Sequence, residues 1–121
     1  MLFRSAMKRL LFILQGTSGA SILPQEALDA VLAGSAFSEC VVIFTGWGVT
    51  QLRQQTPAHG RNAYNRGFGA LRDYGIEEIY YSSDAAADHR LKLGELIIDA
   101  RPLGAEEINQ QIQRADAVLS F

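Results

Sequence analysis

Arg9-Leu-Leu-Phe-Ile-Leu-Gln15, Pro24 to Phe37 and Cys40-Val-Val-Ile-Phe-Thr45 read together as a strand, a crossover helix and a second strand. The first run is apolar, too short for a helix of ordinary length and bounded by turn residues, as a buried strand should be. Gly16-Thr-Ser-Gly-Ala-Ser21 breaks the chain behind it. Pro24 stands where a first helical residue tolerates proline, and Leu28, Val31, Leu32 and Ala36 recur at helical spacing, so the spacing predicts an amphipathic helix over 24–37. Gly34 and Ser35 weaken its last turn. A strand, a helix and a strand in that order imply parallel pairing through a right-handed connection, and hence an α/β sheet.

Downstream, Gly46-Trp47-Gly48-Val49 leaves the carboxyl end of a central strand, the edge of an open α/β sheet where ligand sites form. Trp47 between two glycines suits a stacking platform, though an aromatic contact to another subunit or a loop anchor is the commoner use. Arg53, Arg61, Arg66 and Arg72, with His59, Tyr64 and Phe68 interleaved, form the basic and aromatic cluster of the chain. Tyr64, Phe68 and Leu71 share one helix face and read as core, which leaves the arginines as a solvated or interface face rather than an RNA-binding one. Gly75 closes that helix. Glu77 to Tyr81 reads as a third strand, Ser82-Ser83-Asp84 as a helix N-cap before Ala85-Ala-Ala87, and Leu96-Ile-Ile98 as a fourth apolar run. Ala105 to Gln113 is a polar helix with Glu106 and Glu107 in its first turn, and Ala117-Val-Leu119 is a terminal strand. The fold expected is a single-domain three-layer α/β/α architecture around a mainly parallel five-stranded sheet.

The chain's 121 residues suffice for one domain with a real core. Apolar residues make up 48% and charged residues 20%, a composition that excludes a disordered chain. A net charge of −2 gives no global attraction to nucleic acid or anionic membranes. One cysteine cannot form an internal disulfide, which accords with a cytoplasmic location, and no run reaches the ~18 apolar residues of a membrane helix. Arg4, Lys8 and Arg9 precede an apolar stretch too short for a signal peptide, so residues 1–6 are expected as a frayed extension and 7–121 as the domain.

The sequence offers little chemistry. It has neither a dinucleotide-binding glycine fingerprint nor a phosphate-cradling loop, and Gly16-Thr-Ser-Gly19 is a strand-to-helix turn. His59, His89 and Cys40 are far apart, and Asp84 with Asp88 is only an i, i+4 carboxylate pair, so no metal and no cofactor is expected. Ser82 and Ser83 lack a nucleophile elbow, and helix capping accounts for at least one of them. Cys40 is the one side chain capable of sulfur chemistry, which requires an accessible thiolate of lowered pKa. It opens a strand at the amino edge of the sheet, away from the expected functional edge, where a cysteine acts as a small apolar residue.

Glu26-Ala-Leu-Asp-Ala-Val-Leu32, Ser35-Ala-Phe37, Val42-Ile-Phe44, Gly48-Val49 with Gln51-Leu52, and Ala115-Asp-Ala-Val-Leu-Ser-Phe121 together resemble the DsrE/DsrF family, at its TusC or DsrF subunits, over nearly the whole chain from Met7. The resemblance implies a small cytoplasmic α/β subunit of a sulfur-relay complex. Its partners would be TusB- and TusD-like (DsrH- and DsrE-like) subunits in a heterohexamer with two copies of each, together with a sulfur acceptor protein. In that relay the TusD or DsrE partner carries the persulfide cysteine, after the third strand and before an alanine-rich helix. Here the matching segment is Ser82-Ser83-Asp84-Ala-Ala-Ala87, with Ser83 the approximate counterpart, and a serine hydroxyl forms no persulfide. The implied role is a non-catalytic interface subunit in a relay towards tRNA 2-thiouridine, with Trp47, Arg53, Arg61 and Arg66 as interface candidates and no direct tRNA binding. The alternatives are a DsrF-like subunit of dissimilatory sulfur oxidation, a stand-alone thiol sulfurtransferase using Cys40, and an RNA-binding module using the arginines.

Overall fold

The structure, a computed structural model, describes residues 8–15, 23–36, 38–52, 68–92, 96 and 99–121. Five strands form one sheet: β1 (Lys8–Leu14), β2 (Ser38–Phe44), β3 (Glu78–Ser82), β4 (Arg101–Leu103) and β5 (Ala117–Ser120). Their order is β4-β3-β2-β1-β5 and every pairing is parallel, so the mainly parallel sheet expected is parallel throughout. Among the described residues, three α-helices accompany them: α1 (Leu23–Gly34), α2 (Ser83–Asp88) and α3 (Ala105–Arg114), with 3₁₀ helices over Gly46–Leu52 and Phe68–Tyr74. Among the described residues, no helix is long and apolar enough to cross a membrane.

A parallel strand covered on both faces must be apolar on both, and β1 and β2 are. Phe12, Leu14, Cys40, Val42, Phe44, Ile79 and Tyr81 point to one face, where Val31 of α1, Val49 and Leu52, Leu71, and Ala85 and Ala86 of α2 pack on them. Leu11, Val41, Ile43 and Tyr80 point to the other, against Ile108 of α3. The predicted α1 ends at Gly34, three residues early, where glycine and serine favour the turn over another helical residue.

The fourth strand differs from expectation. The segment paired with β3 is Arg101–Leu103, not Leu96 to Ile98. Leu96 instead packs half-buried against the core, and Ile97 and Ile98 lie outside the described residues. An apolar run looks like a strand, but an edge strand needs little apolar content and tolerates Pro102, whose ring removes a donor. Tyr64, His59, Arg53, Arg61 and Arg66, and residues 1–6, also lie outside the described residues. Leu71 is fully buried, as its place on the predicted face requires.

Gly75 closes the Phe68–Tyr74 helix with φ +85°, its N–H donating to Arg72 O at 3.0 Å and Ile76 N–H to Leu71 O at 3.1 Å. That is the two-bond C-terminal closure for which a left-handed glycine is suited. On the opposite face of the sheet, Arg9 fixes α3 to the strands. Its guanidinium donates to both carboxylate oxygens of Glu78, at 3.0 and 3.1 Å, and to Gln111 Oε1 at 3.0 Å. Tyr80 donates its hydroxyl to Glu78 Oε1 at 3.2 Å, and Arg101 lies over the Tyr80 ring. Burial pushes the Glu78 carboxyl up, but the hydrogen bonds and charge of Arg9, with Tyr80 and Arg114, together hold it below its ordinary value.

Candidate functional site at the carboxyl edge of the sheet

Two segments meet where β2 and β3 end. Behind β2, Thr45 N–H donates to Leu14 O at 3.0 Å and Gly48 N–H to Thr45 O at 2.8 Å, turning the chain into its 3₁₀ helix. Gly46 takes φ +52°, and Gly48 lies so close to the Leu14 carbonyl that a Cβ there would overlap it. The two glycines thereby raise Trp47 out of the surface, 61% exposed, with its carbonyl bonded by Thr50 Oγ1 at 2.7 Å. His89, at the end of α2, lies against the indole, ring centroids 4.3 Å apart and tilted by 50°.

β3 runs directly into α2. Ser82 is the N-cap, its Oγ accepting from Ala85 N–H at 3.1 Å, and Ala85 and Ala86 turn inward. Ser83 is the first helical residue, exposed, and its hydroxyl donates to Leu103 O at 3.3 Å. At the far end of α2, Arg90 N–H donates to Ala87 O and Leu91 N–H to Ala86 O, with Arg90 itself at φ +56°. The helix thus closes as at Gly75, but on a residue with a Cβ.

Cys40 lies at the other edge. It is 8% exposed, Sγ 4.0 Å from Val31 O and 3.9 Å from Ser38 O, and burial pushes its thiol pKa up. It lines a cavity of about 370 Å³ with Ser35, Ser38, Tyr74, Ile76 and Glu77. Val41 is in register with Glu78, so Ser83 stands about six residues further along the strand direction than Cys40, roughly 20 Å at ~3.3 Å per residue. The structure therefore brings Trp47, Ser83 and His89 to one edge and leaves Cys40 on the opposite one. Arg72 donates to Asp99 O at 2.8 Å and pairs with its carboxylate at 3.6 Å, a surface tie rather than an open basic patch. Asp84 and Asp88 are exposed, and no three His, Cys, Asp or Glu side chains converge among the described residues.

Sequence reading pointed to Trp47 and Ser83 but not to His89 as the indole's neighbour, since the two lie 42 positions apart (89 less 47) on different elements. Nor did it find the Arg9, Glu78 and Gln111 cluster, three polar residues with no pattern in common.

Comparison with known proteins places this architecture. The chain is 34% identical over 118 residues to the "Protein TusC homolog" of Aliivibrio fischeri and 32% identical to that of Vibrio parahaemolyticus, in each case over 95% of this chain and the whole of the relative. The crystal structure of the ychN protein from E. coli superposes with a TM-score of 0.80 over 95% of this chain and all of that one, at 19% identity, which speaks to fold alone. The model of the DsrE/DsrF-like family matches residues 8–121, and this chain belongs to that family.

Proposed function

We propose that this chain is a structural subunit of a cytoplasmic sulfur-relay complex, assembled with TusB- and TusD-like subunits in a heterohexamer, and that it supports persulfide transfer towards tRNA 2-thiouridine without carrying sulfur itself. Residues 7–121 form its single working domain. The observation that carries this reading is the placement of Cys40, the chain's one thiol, away from the edge where Ser83 stands. Ser83 occupies the exposed start of α2, the approximate counterpart of the partner's reactive cysteine, and its hydroxyl cannot hold a second sulfur. The lone thiol, Cys40, sits roughly 20 Å along the strands from that edge. Its burial favours the protonated form, the opposite of what a persulfide-forming thiolate requires.

Exposed apolar side chains on α3 and β5 also support a subunit role. Ile112, Val118 and Leu119 remain exposed nearby in sequence and element.

Intact-mass analysis of the co-expressed complex, after incubation with a persulfidated cysteine desulfurase, tests the proposal. The expected result is a gain of sulfur on the TusD-like chain and none on this one, with transfer unaffected by Cys40→Ala. Sulfur appearing on this chain, and lost with Cys40→Ala while the complex still assembles, would establish a thiol relay at Cys40 instead.

A further inference from the structure

We propose that the cavity at the amino edge of the sheet binds a short aliphatic amine that carries a second hydrogen-bonding group, an amino alcohol or a diamine. The cavity, of about 370 Å³, lies where the turn after α1, the start of β2 and the segment leading into β3 meet, on the opposite edge from Ser83. Its volume is at the small end of the range for ligand sites, about 300–1,000 Å³. Ser38 and Ile76, both buried, form its floor, and Glu39, Tyr74 and Glu77, all exposed, form its rim. Ser38 is 9% exposed, and its hydroxyl has no hydrogen-bond partner among the described residues. A buried hydroxyl without a partner costs free energy that a ligand group bonded to it recovers. The Cys40 thiol faces the carbonyls of Val31 and Ser38 and takes no part.

The charge on the rim sets the other end of the ligand. Among the described residues, Glu39, Glu77 and Glu78 line the cavity and no cationic side chain does. Glu78 is engaged by Arg9, with Arg114 also acting on it, which leaves Glu39 and Glu77, neither of them in an ion pair among the described residues. Lys8, in register with Ser38 on the adjoining strand, is exposed; counted against those two carboxylates it still leaves the rim negative by one. An anion therefore meets repulsion there. An ammonium group gains ion pairing with the carboxylates and cation–π attraction to the Tyr74 ring. With the ammonium at the rim, a short methylene chain runs over Ile76 and its far group reaches the Ser38 hydroxyl. A monoamine satisfies the rim but leaves Ser38 without a partner, and a hydroxy acid does the reverse. Binding here is independent of the sulfur-relay proposal, and its absence leaves that proposal as it was.

The full-length chain, labelled with heavy nitrogen, is titrated with aminopentanol, pentylamine and hydroxypentanoate, all straight-chain with their polar groups at the ends, while its amide NMR signals are followed. Aminopentanol should give saturable shifts at the Ser38, Cys40, Ile76 and Glu77 amides by ~10 mM, ten times a fragment-like Kd of ~1 mM. Pentylamine should bind about two- to tenfold more weakly, and hydroxypentanoate should leave these signals in place. Ser38→Ala removes a hydroxyl that bonds nothing in the described protein, so the variant is compatible with folding, and it should bind aminopentanol no better than pentylamine. Glu77→Gln should weaken both amines about two- to fivefold. The assignment is overturned if hydroxypentanoate saturates the same signals, if aminopentanol produces no saturable shift at these amides, if pentylamine binds the parent as tightly as aminopentanol, or if Ser38→Ala still prefers aminopentanol.

Discussion

Gly48 has no alternative at its position, because any side chain would enter the Leu14 carbonyl. The obstacle is backbone on both sides and cannot rotate away. Gly48→Ala should therefore cost at least about 3 kcal/mol, read as a fall in the urea midpoint with the slope unchanged. Arg90 presents the reverse case: a residue with a Cβ in the left-handed region, at φ +56°, closing α2 where Gly75 closes the neighbouring 3₁₀ helix. Arg90→Gly removes a strain of ~1–2 kcal/mol and gives back part of it as extra freedom of the unfolded chain, so a net stabilisation of about 0.5–1 kcal/mol should appear in thermal unfolding. Glu78 ties its stability contribution to pH. Its carboxyl is held below the ordinary 4.5, so the contribution is complete above that pH and is lost as the pH falls through the lower folded value. Glu78→Gln should cost about 0.5–1 kcal/mol near neutrality, the carboxylate being partly open to solvent, and the difference from the parent should vanish once the pH lies below that lowered value. A difference unchanged at low pH would mean that packing, not the Arg9 ion pair, is what the substitution removes.

At the scale of elements, α2 is too short to stand by propensity, since six residues leave most of its end groups without helical partners. It depends on the Ser82 cap, on the buried Ala85 and Ala86 and on the closure at Arg90. The two serines consequently differ in weight despite being adjacent. Ser82→Ala should cost about 1 kcal/mol, whereas Ser83→Ala, which loses a long bond at the surface, should cost no more than about 0.5 kcal/mol. Paired denaturation curves of the two variants make the comparison. The sheet's two edges differ as well. β4 is three residues long and contains Pro102, while β5 is Ala117-Val-Leu-Ser120, exposed throughout and without charge or proline. Only the first edge carries the features that deter pairing with another chain.

For the whole molecule, the parallel sheet with helices on both faces makes Cys40 a reporter of global rather than local events. Its thiol lies between α1 and the sheet, buried and with a raised pKa, so reaction with a neutral alkylating reagent should be at least about a hundredfold slower in the native chain than in denaturant. Rapid labelling without unfolding would show instead that the cavity beside Ser38 and Tyr74 admits reagents to the sulfur.

The sequence by itself determined the α/β class, the parallel β1 and β2 pair and a serine cap within Ser82-Ser83, because each rests on patterns confined to a few neighbouring residues: apolar runs, turn residues and helical spacing. The resemblance carried by segments from Glu26 to Phe121 placed the chain in its family in the same way, position by position. What only the tertiary structure decided lies between distant positions. The fourth strand went to Arg101–Leu103 because β3 offered an edge that a short, polar, proline-containing segment could pair with, an outcome local hydrophobicity does not encode. His89 came to Trp47 because the β4-β3-β2-β1-β5 order sets the ends of β2 and β3 side by side, and Arg9 reached Glu78 and Gln111 because the same order leaves β1 and β3 one strand apart beneath α3. Such contacts follow from closure of the chain over tens of residues, and no spacing within the sequence records them.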